Sequence, residues 1–346
     1  MGRGAGFAPE ARHKNFIASR STGIISLNRP RSQPLNSVVT PYNRAHHWFV
    51  ILLACGTLLL IVAGALVTSN DAGLSVPDWP TTFGSLYRIP PMVGGVKFEH
   101  GHRMVAELIG LLTIVLAVWT WRAERRSWMR KLGLVALGTV IAQGFLGGLT
   151  VLLYLPPAVS TAHATLGQSF FCLIVIMVMV TGREWMEAQP IMVVERHRPR
   201  LRTLVTLAAG SVYLQLILGA AFRHSGIKLL PHLISAVVVT VLLLWTITRI
   251  LAEHSAVPQL RRPARALLIL LLVQLGLGFG AYLTRVEWGS VAAQPMLSMV
   301  FATVAHVAVG ALVLATSVVL AFQVYRHTSP QAEIVVAHPA SAKVVA

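Results

Sequence analysis

Charged residues are scarce in this sequence, and cysteine is almost absent. Asp, Glu, Lys and Arg make up only 12% of the 346 residues, which is about half their share in an ordinary soluble domain. The two cysteines, Cys55 and Cys172, lie inside apolar stretches. They are poorly placed for a disulfide or a loop metal site, so we interpret them as small buried hydrophobic residues. The composition argues against a soluble globular protein.

Apolar residues make up 55% of the chain, and they are concentrated in eight long runs. The runs cover about residues 47–68, 100–121, 132–155, 160–181, 203–222, 229–250, 266–284 and 297–324. Each can form a helix of the roughly 20 residues that cross a bilayer. None shows the alternating polarity of membrane β-strands. The sequence therefore predicts an all-α integral membrane protein with eight transmembrane helices.

The formal charge of +17 is distributed unevenly along the chain. Seven Lys or Arg lie in the first 44 residues, and five, five and four follow the second, fourth and sixth runs. By the positive-inside rule, both termini are cytoplasmic and the protein lies in the inner membrane. This distribution accounts for the charge without a nucleic-acid partner.

The eight spans are predicted to form two pseudo-symmetric four-helix bundles. The expected divisions are a basic, disordered cytoplasmic tail at 1–44, an N-terminal bundle at 45–182, a basic linker at 183–202, a C-terminal bundle at 203–325 and a cytoplasmic tail at 326–346. Internal repeats of this kind often indicate where the sites of a membrane protein lie.

Four histidines support this repeat. They are His102, His163, His232 and His306, each near the start of a span that returns from the outer side, with a small residue four positions later. Three of the outward spans contain Gln-x-x-x-Gly, beginning at Gln143, Gln215 and Gln274. The small residue at i+4 would let a flat ligand approach the helix, although close helix packing explains the glycines as well.

Two histidines in each bundle predict an axial ligand pair for one haem iron. The pairs would be His102 with His163 and His232 with His306. Structural histidines that join helices are the alternative, and zinc is less suitable because the cysteines lie elsewhere. His100, His224 and His254 do not fit the repeat.

The stretch Glu99-His100-Gly101-His102-Arg103 opens the second span. On a helix, Glu99, His102 and Arg103 share one face. Glu99 is either a salt-bridge partner of Arg103 or a general base and electrostatic group beside the first haem. Arg103 and Arg223 would pair with haem propionates or extend to the membrane interface.

These features together resemble the haem A synthase family. The resemblance covers about residues 45–325 and includes Glu99-x-x-His102-Arg103, the three later histidines, and the stretch from Gly64-Ala65-x-Val67-Thr68 through Gly73-Leu74-Ser75 to Asp78-Trp79-Pro80. It implies oxidation of a ring methyl of haem O to a formyl group, which yields haem A for cytochrome oxidase. It also implies Glu99 as the catalytic residue, haem O in the N-terminal bundle and a haem b cofactor in the C-terminal bundle.

The partners to expect are haem O and the lipid bilayer, with a haem O synthase, an electron acceptor and a second copy of the chain as further candidates. Some family members carry cysteine pairs in their outer loops, and the absence of these pairs here argues against a thiol-based role. The competing interpretations are a di-haem b-type cytochrome that passes electrons without modifying haem, and a transporter with a histidine-lined pathway.

Overall fold

The computed structural model describes residues 41–195, 197–291 and 293–328. Within these ranges the chain forms nine α-helices. They are α1 (Arg44–Ser69), α2 (Val96–Ala123), α3 (Ser127–Leu152), α4 (Pro157–Thr181), the short α5 (Arg183–Glu187), α6 (Leu201–Arg223), α7 (Leu230–Glu253), α8 (Pro258–Tyr282) and α9 (Leu297–His327). Residues 1–40 and 329–346, which form most of the predicted tails at 1–44 and 326–346, lie outside the described residues.

All helices except α5 are long and apolar enough to cross a membrane. The only β-structure among the described residues is two isolated bridges, Thr82 with Ser85 and Val193 with Thr328. The prediction of an all-α protein with eight membrane-spanning helices is therefore confirmed.

The helix ends differ from the predicted spans where polar residues form the first turn. Helix α3 begins at Ser127 and α8 begins at Pro258, several residues before the apolar runs start. Proline at a helix start fits because its missing N–H would have no intrahelical partner there. Helix α3 ends at Leu152, since Tyr154 and Leu155 adopt positive φ angles of 59° and 60°.

The buried apolar side chains form two clusters. One contains residues of α1 to α4, such as Leu53, Ile109 and Ile174, and the other is built mainly from α6 to α9, with Leu243 and Leu267 at its centre. Helix α9 packs against α1 and α4 as well as against α6 and α8. The predicted bundle boundaries remain a prediction, with which the two clusters are consistent.

One expectation about the cysteines is wrong. Cys172 is buried in α4, but Cys55 is exposed on α1. The buried face of α1 carries Leu53 and Thr57, so Cys55 lies on the opposite side of the helix, which a bilayer would cover.

Candidate functional site

Each of the four predicted histidines lies against a glycine of the preceding membrane-spanning helix. A Cβ atom added to any of these glycines would come within 2.9 to 3.1 Å of the Cε1 atom of the imidazole. The four pairs are Gly64 with His102, Gly147 with His163, Gly219 with His232, and Gly278 with His306. The repeat therefore has a physical basis, because a side chain at any of these positions would require the ring to shift.

The small residue four positions after the histidine has a different use from the one expected. A Cβ atom on Gly167 would lie 2.9 Å from the side-chain nitrogen of Gln143, and one on Gly310 would lie 3.1 Å from that of Gln274. At these two positions the glycine accommodates the glutamine amide of the neighbouring helix. Gln143 uses this position to donate a hydrogen bond to the backbone carbonyl of His163 at 2.8 Å.

The second histidine pair, His232 and His306, has its ring centroids 6.4 Å apart, with the ring planes 78° to each other. Two imidazoles on opposite sides of one metal ion, each at a metal–nitrogen distance of about 2 Å, have centroids about 6 Å apart. The observed separation fits an axial pair on one haem iron. The Nε2 atoms now lie 3.4 and 3.3 Å from the amide nitrogens of Gln215 and Gln274, which would have to turn aside for iron to bind.

The Nδ1 atoms of all four histidines are buried, and none has a hydrogen-bond partner among the described residues. Each ring nevertheless faces the backbone carbonyl four residues before its glycine, at position 60, 143, 215 or 274. A backbone carbonyl is the usual partner of the distal ring N–H of a metal-bound histidine. The four rings therefore have the surroundings that iron ligation through Nε2 would need.

His102 and His163, the first pair, lie close enough that a charge on the ring of His163 would act on that of His102. His224, which the repeat excluded, also lies near His163. Burial, followed by the charges of Arg223, His163 and Arg285, lowers the pKa of His224 to about 4, so its imidazole is neutral at physiological pH. His100 lies at the rim, with Nδ1 3.3 Å from the hydroxyl of Thr82.

Glu99 is almost fully buried, and both of its carboxylate oxygens have partners. Oε1 accepts a hydrogen bond from Arg103 at 2.7 Å, and Oε2 accepts one from the backbone N–H of Val76 at 2.9 Å. The salt bridge considered from the sequence is therefore present. The hydrogen bond from Val76 also holds the loop between α1 and α2 against the start of α2.

The rest of the Arg103 guanidinium binds the same loop. It donates to the carbonyl oxygens of Asp78 at 2.8 Å, Thr81 at 3.1 Å and Val76 at 3.3 Å. We call residues 70–95 the lid. These four contacts of Arg103, including that with Glu99, give it the function of a lid anchor, which the sequence pattern did not reveal.

Two lid residues, Trp79 and Asp78, also stabilise the closed lid. Trp79 covers Gly148 of α3, where an added Cβ atom would lie 2.4 Å from the indole ring. The carboxylate of Asp78 accepts hydrogen bonds from Thr81 and from the backbone N–H groups of Phe83 and Gly84. Burial raises the pKa of Asp78, but these hydrogen bonds outweigh it and leave the pKa below its ordinary value.

Arg223 connects the two halves of the chain. Its guanidinium donates to the carbonyl oxygen of Ala65 at 2.9 Å and to the hydroxyl of Ser69 at 2.7 Å, both at the end of α1. Ser69 is also 2.8 Å from the hydroxyl of Thr303 in α9. Arg223 is thus held by groups at the end of α1.

Comparison with known proteins identifies the family of this chain. A family model described as COX15-CtaA, cytochrome oxidase assembly protein, matches residues 96–230. A protein of Symbiobacterium thermophilum named heme A synthase is 32% identical over 254 residues, which are 64% of this chain and 80% of that protein. The chain belongs to the haem A synthase family.

Other members match over shorter stretches. The heme A synthase of Lysinibacillus sphaericus is 33% identical over 143 residues, 40% of this chain and 46% of that protein. That of Shouchella clausii is 30% identical over 129 residues, 37% of this chain and 42% of that protein. The chain thus spans about half the length of these two relatives.

The match to the COX15-CtaA family model spans Glu99, His102 and His163, and it ends two residues before His232. The assignment of His232 and His306 as a ligand pair therefore depends on the sequence repeat and on the distance between their rings. The haem-binding roles of all four histidines stay predictions.

Proposed function

We propose that this protein is a haem A synthase, which oxidises a ring methyl of haem O to a formyl group and so makes haem A for cytochrome oxidase. The observation that carries the proposal is the set of four partly buried imidazoles, each packed on a glycine of the preceding helix and directed at a backbone carbonyl of that helix. This set occurs in a chain whose relatives are named heme A synthase.

The substrate, haem O, is assigned to His102 and His163, and the cofactor, haem b, to His232 and His306. When bound, haem b would supply a redox centre that takes and passes single electrons. The assignment depends on the residues that precede each histidine by three positions, which are Glu99, Ser160, Leu229 and Thr303. Only the first pair has a carboxylate there, and only the first pair lies beneath the anchored lid.

Glu99 is proposed to take up a proton as the methyl group is oxidised, or to stabilise positive charge that develops beside it. A carboxylate that accepts hydrogen bonds from a guanidinium and a backbone N–H is stabilised in its charged form. If the lid shifts at Val76, Oε2 loses one partner and becomes available to accept a proton. The role of Arg103 is to position Glu99 and to keep the lid closed.

The closed lid is proposed to limit the access of water to the site. Trp79 on Gly148 and the Arg103 contacts hold the lid against α2 and α3. Exclusion of water strengthens the electrostatic effect of Glu99 on a reacting group.

We assign the basic end of the helices to the cytoplasm and the histidine end to the outer side of the inner membrane. A haem O synthase and an electron acceptor are the partners that the reaction requires, since the substrate must be delivered and its electrons removed. A homo-oligomer is a further proposal.

The test replaces Glu99 and measures product and bound haem separately. Glu99→Gln keeps the size of the side chain but removes the charge. It should assemble, retain haem b, and lower haem A formation by roughly 10²- to 10⁴-fold, the usual contribution of a catalytic proton transfer.

Arg103→Gln is the matched comparison, because it breaks the same salt bridge but leaves the carboxylate. It should increase proteolysis of the lid and reduce haem A less than Glu99→Gln does. Near-normal haem A from Glu99→Gln, measured by chromatography of extracted haems, would end the catalytic assignment.

A further inference from the structure

A cavity lies at the end of the helices opposite the histidines. Its volume is about 310 Å³, and its walls come from both halves of the chain. The first half contributes the start of α1, the end of α4 and α5, and the second half contributes α8 and α9. Val178 lines this cavity fifteen residues after His163 on α4, so about 22 Å of helix separates it from the candidate haem site.

The cavity presents cationic and donor groups. Arg326 lies over the ring of Trp185, 4.2 Å from its centroid, and donates a hydrogen bond to the carbonyl of Ala188 at 2.7 Å. Arg183 is paired with the exposed Glu187 at 2.6 Å. Two guanidinium groups at the entrance of a helix-lined pocket are suited to bind a phosphate group.

The cavity also presents acceptors that lack donors. The Oε1 atoms of Gln259 and Gln323 are buried and have no hydrogen-bond partner among the described residues. The amide nitrogen of Gln259 donates to Glu184 at 2.7 Å, which fixes the orientation of this amide. A buried carbonyl oxygen without a partner is costly, so these atoms indicate a ligand that donates hydrogen bonds.

We propose that this cavity binds the headgroup of a membrane phospholipid that carries both a phosphate and a hydrogen-bond donor. Phosphatidylethanolamine and phosphatidylglycerol have these two features. The phosphate would bind at Arg183 and Arg326, and the ammonium or hydroxyl groups would donate to Gln259 and Gln323.

The position of the cavity favours a lipid over a soluble phosphate ester. It lies where α1, α4, α8 and α9 reach the basic end of the protein, at the level of a lipid headgroup if these helices span a bilayer. Val178 and Met179 add apolar surface to the wall, and Trp185 is a residue type typical of the membrane interface. A bound headgroup would connect the two halves of the chain.

Native mass spectrometry of the full chain, released from membranes in mild detergent, tests the proposal. The wild type should retain a phospholipid with an ammonium or glycerol headgroup. Arg326→Gln and Gln323→Met should each lower its occupancy about tenfold or more, as expected from the loss of a hydrogen bond involving a charged or buried group. Arg262→Gln, a change at an exposed α8 residue that does not line the cavity, should retain the lipid.

Thermal unfolding of the delipidated protein distinguishes the sources of phosphate. Phosphatidylethanolamine or phosphatidylglycerol should raise the melting temperature of the wild type, whereas phosphatidylcholine, which lacks a donor, and inorganic phosphate should not. Equal stabilisation by phosphatidylcholine or by inorganic phosphate would overturn the proposal, and so would lipid retention by both cavity variants.

Gln323→Met provides a second measurement that does not depend on lipid. It removes an acceptor that has no protein partner, so the delipidated variant should melt at or above the temperature of the delipidated wild type. A lower melting temperature would mean that Gln323 has a structural role, and the assignment of the cavity would be wrong.

Discussion

The glycine contacts of the histidines lead to a test within a single helix. Gly276 and Gly278 both lie in α8, two residues apart. A Cβ atom on Gly278 would lie 3.0 Å from Cε1 and 3.4 Å from Nδ1 of His306, whereas one on Gly276 would meet no other described heavy atom within 4 Å. Carbon atoms in contact prefer about 3.5–4.0 Å. Gly278→Ala should therefore displace the imidazole, and Gly276→Ala should not.

The size of the effect follows from the difference between the two variants. Both gain the same helix-propensity benefit of about 0.5–1 kcal/mol, which cancels in the comparison. What remains is the cost of overpacking at Gly278, about 1–3 kcal/mol. If this cost falls on the ligand geometry of His306, haem affinity should fall roughly 5- to 150-fold.

The assay is the low-spin haem spectrum of each purified variant, titrated with haem b. Gly276→Ala should titrate like the wild type, and Gly278→Ala should bind weakly or with an altered spectrum. Identical titrations would refute the reasoning, because they would show that the ring of His306 can move without loss of ligation.

Three further predictions concern the second pair, the orientation and the lid. His232→Ala should remove or alter the low-spin spectrum, whereas His254→Ala at the basic end should leave it unchanged; equal loss from both would indicate general misfolding. Reporter fusions after positions 126 and 200 should be cytoplasmic and those after 88 and 225 extracytoplasmic, and the reverse pattern would place the histidines on the inner side. Because its pKa is lowered, the ionised carboxylate of Asp78 stabilises the closed lid at pH values above its ordinary pKa of about 3.9. This contribution is lost as the pH falls through the lowered pKa that Asp78 has in the folded protein. Pepsin should therefore begin to cut the wild-type lid only below about pH 4, whereas Asp78→Ala should be cut across the whole acid range; no difference between them would show that Asp78 does not hold the lid.

The apolar runs and the histidine spacing predicted the parts of this protein that depend on local pattern. Eight spans follow from hydropathy, and the matching of Gly219 to His232 follows from a repeat that places them at equivalent points of neighbouring helices. The repeated Gln-x-x-x-Gly pattern was visible in the sequence, but the groups that the glutamine amides contact were not. Whether Gly167 faces a flat ligand or the amide of Gln143 depends on how two helices pack, which spacing does not specify.

The lid was the least predictable part, because its path depends on contacts between residues far apart in the chain. Asp71 and Phe83 adopt positive φ angles of 49° and 48°, which no local motif indicated. Trp79 reaches a glycine almost seventy residues later. The salt bridge between Glu99 and Arg103 was expected from helix spacing, but its contacts with the lid were not.

Analysis of the haems extracted from the purified wild-type protein tests the central proposal most directly. The full chain should be expressed together with a source of haem O, and its pigments separated by chromatography and identified by the pyridine haemochrome method. A haem A synthase should yield haem A or its hydroxylated precursor together with retained haem b. Recovery of haem b alone would contradict the proposal and indicate a di-haem cytochrome, and a colourless protein would contradict haem ligation altogether.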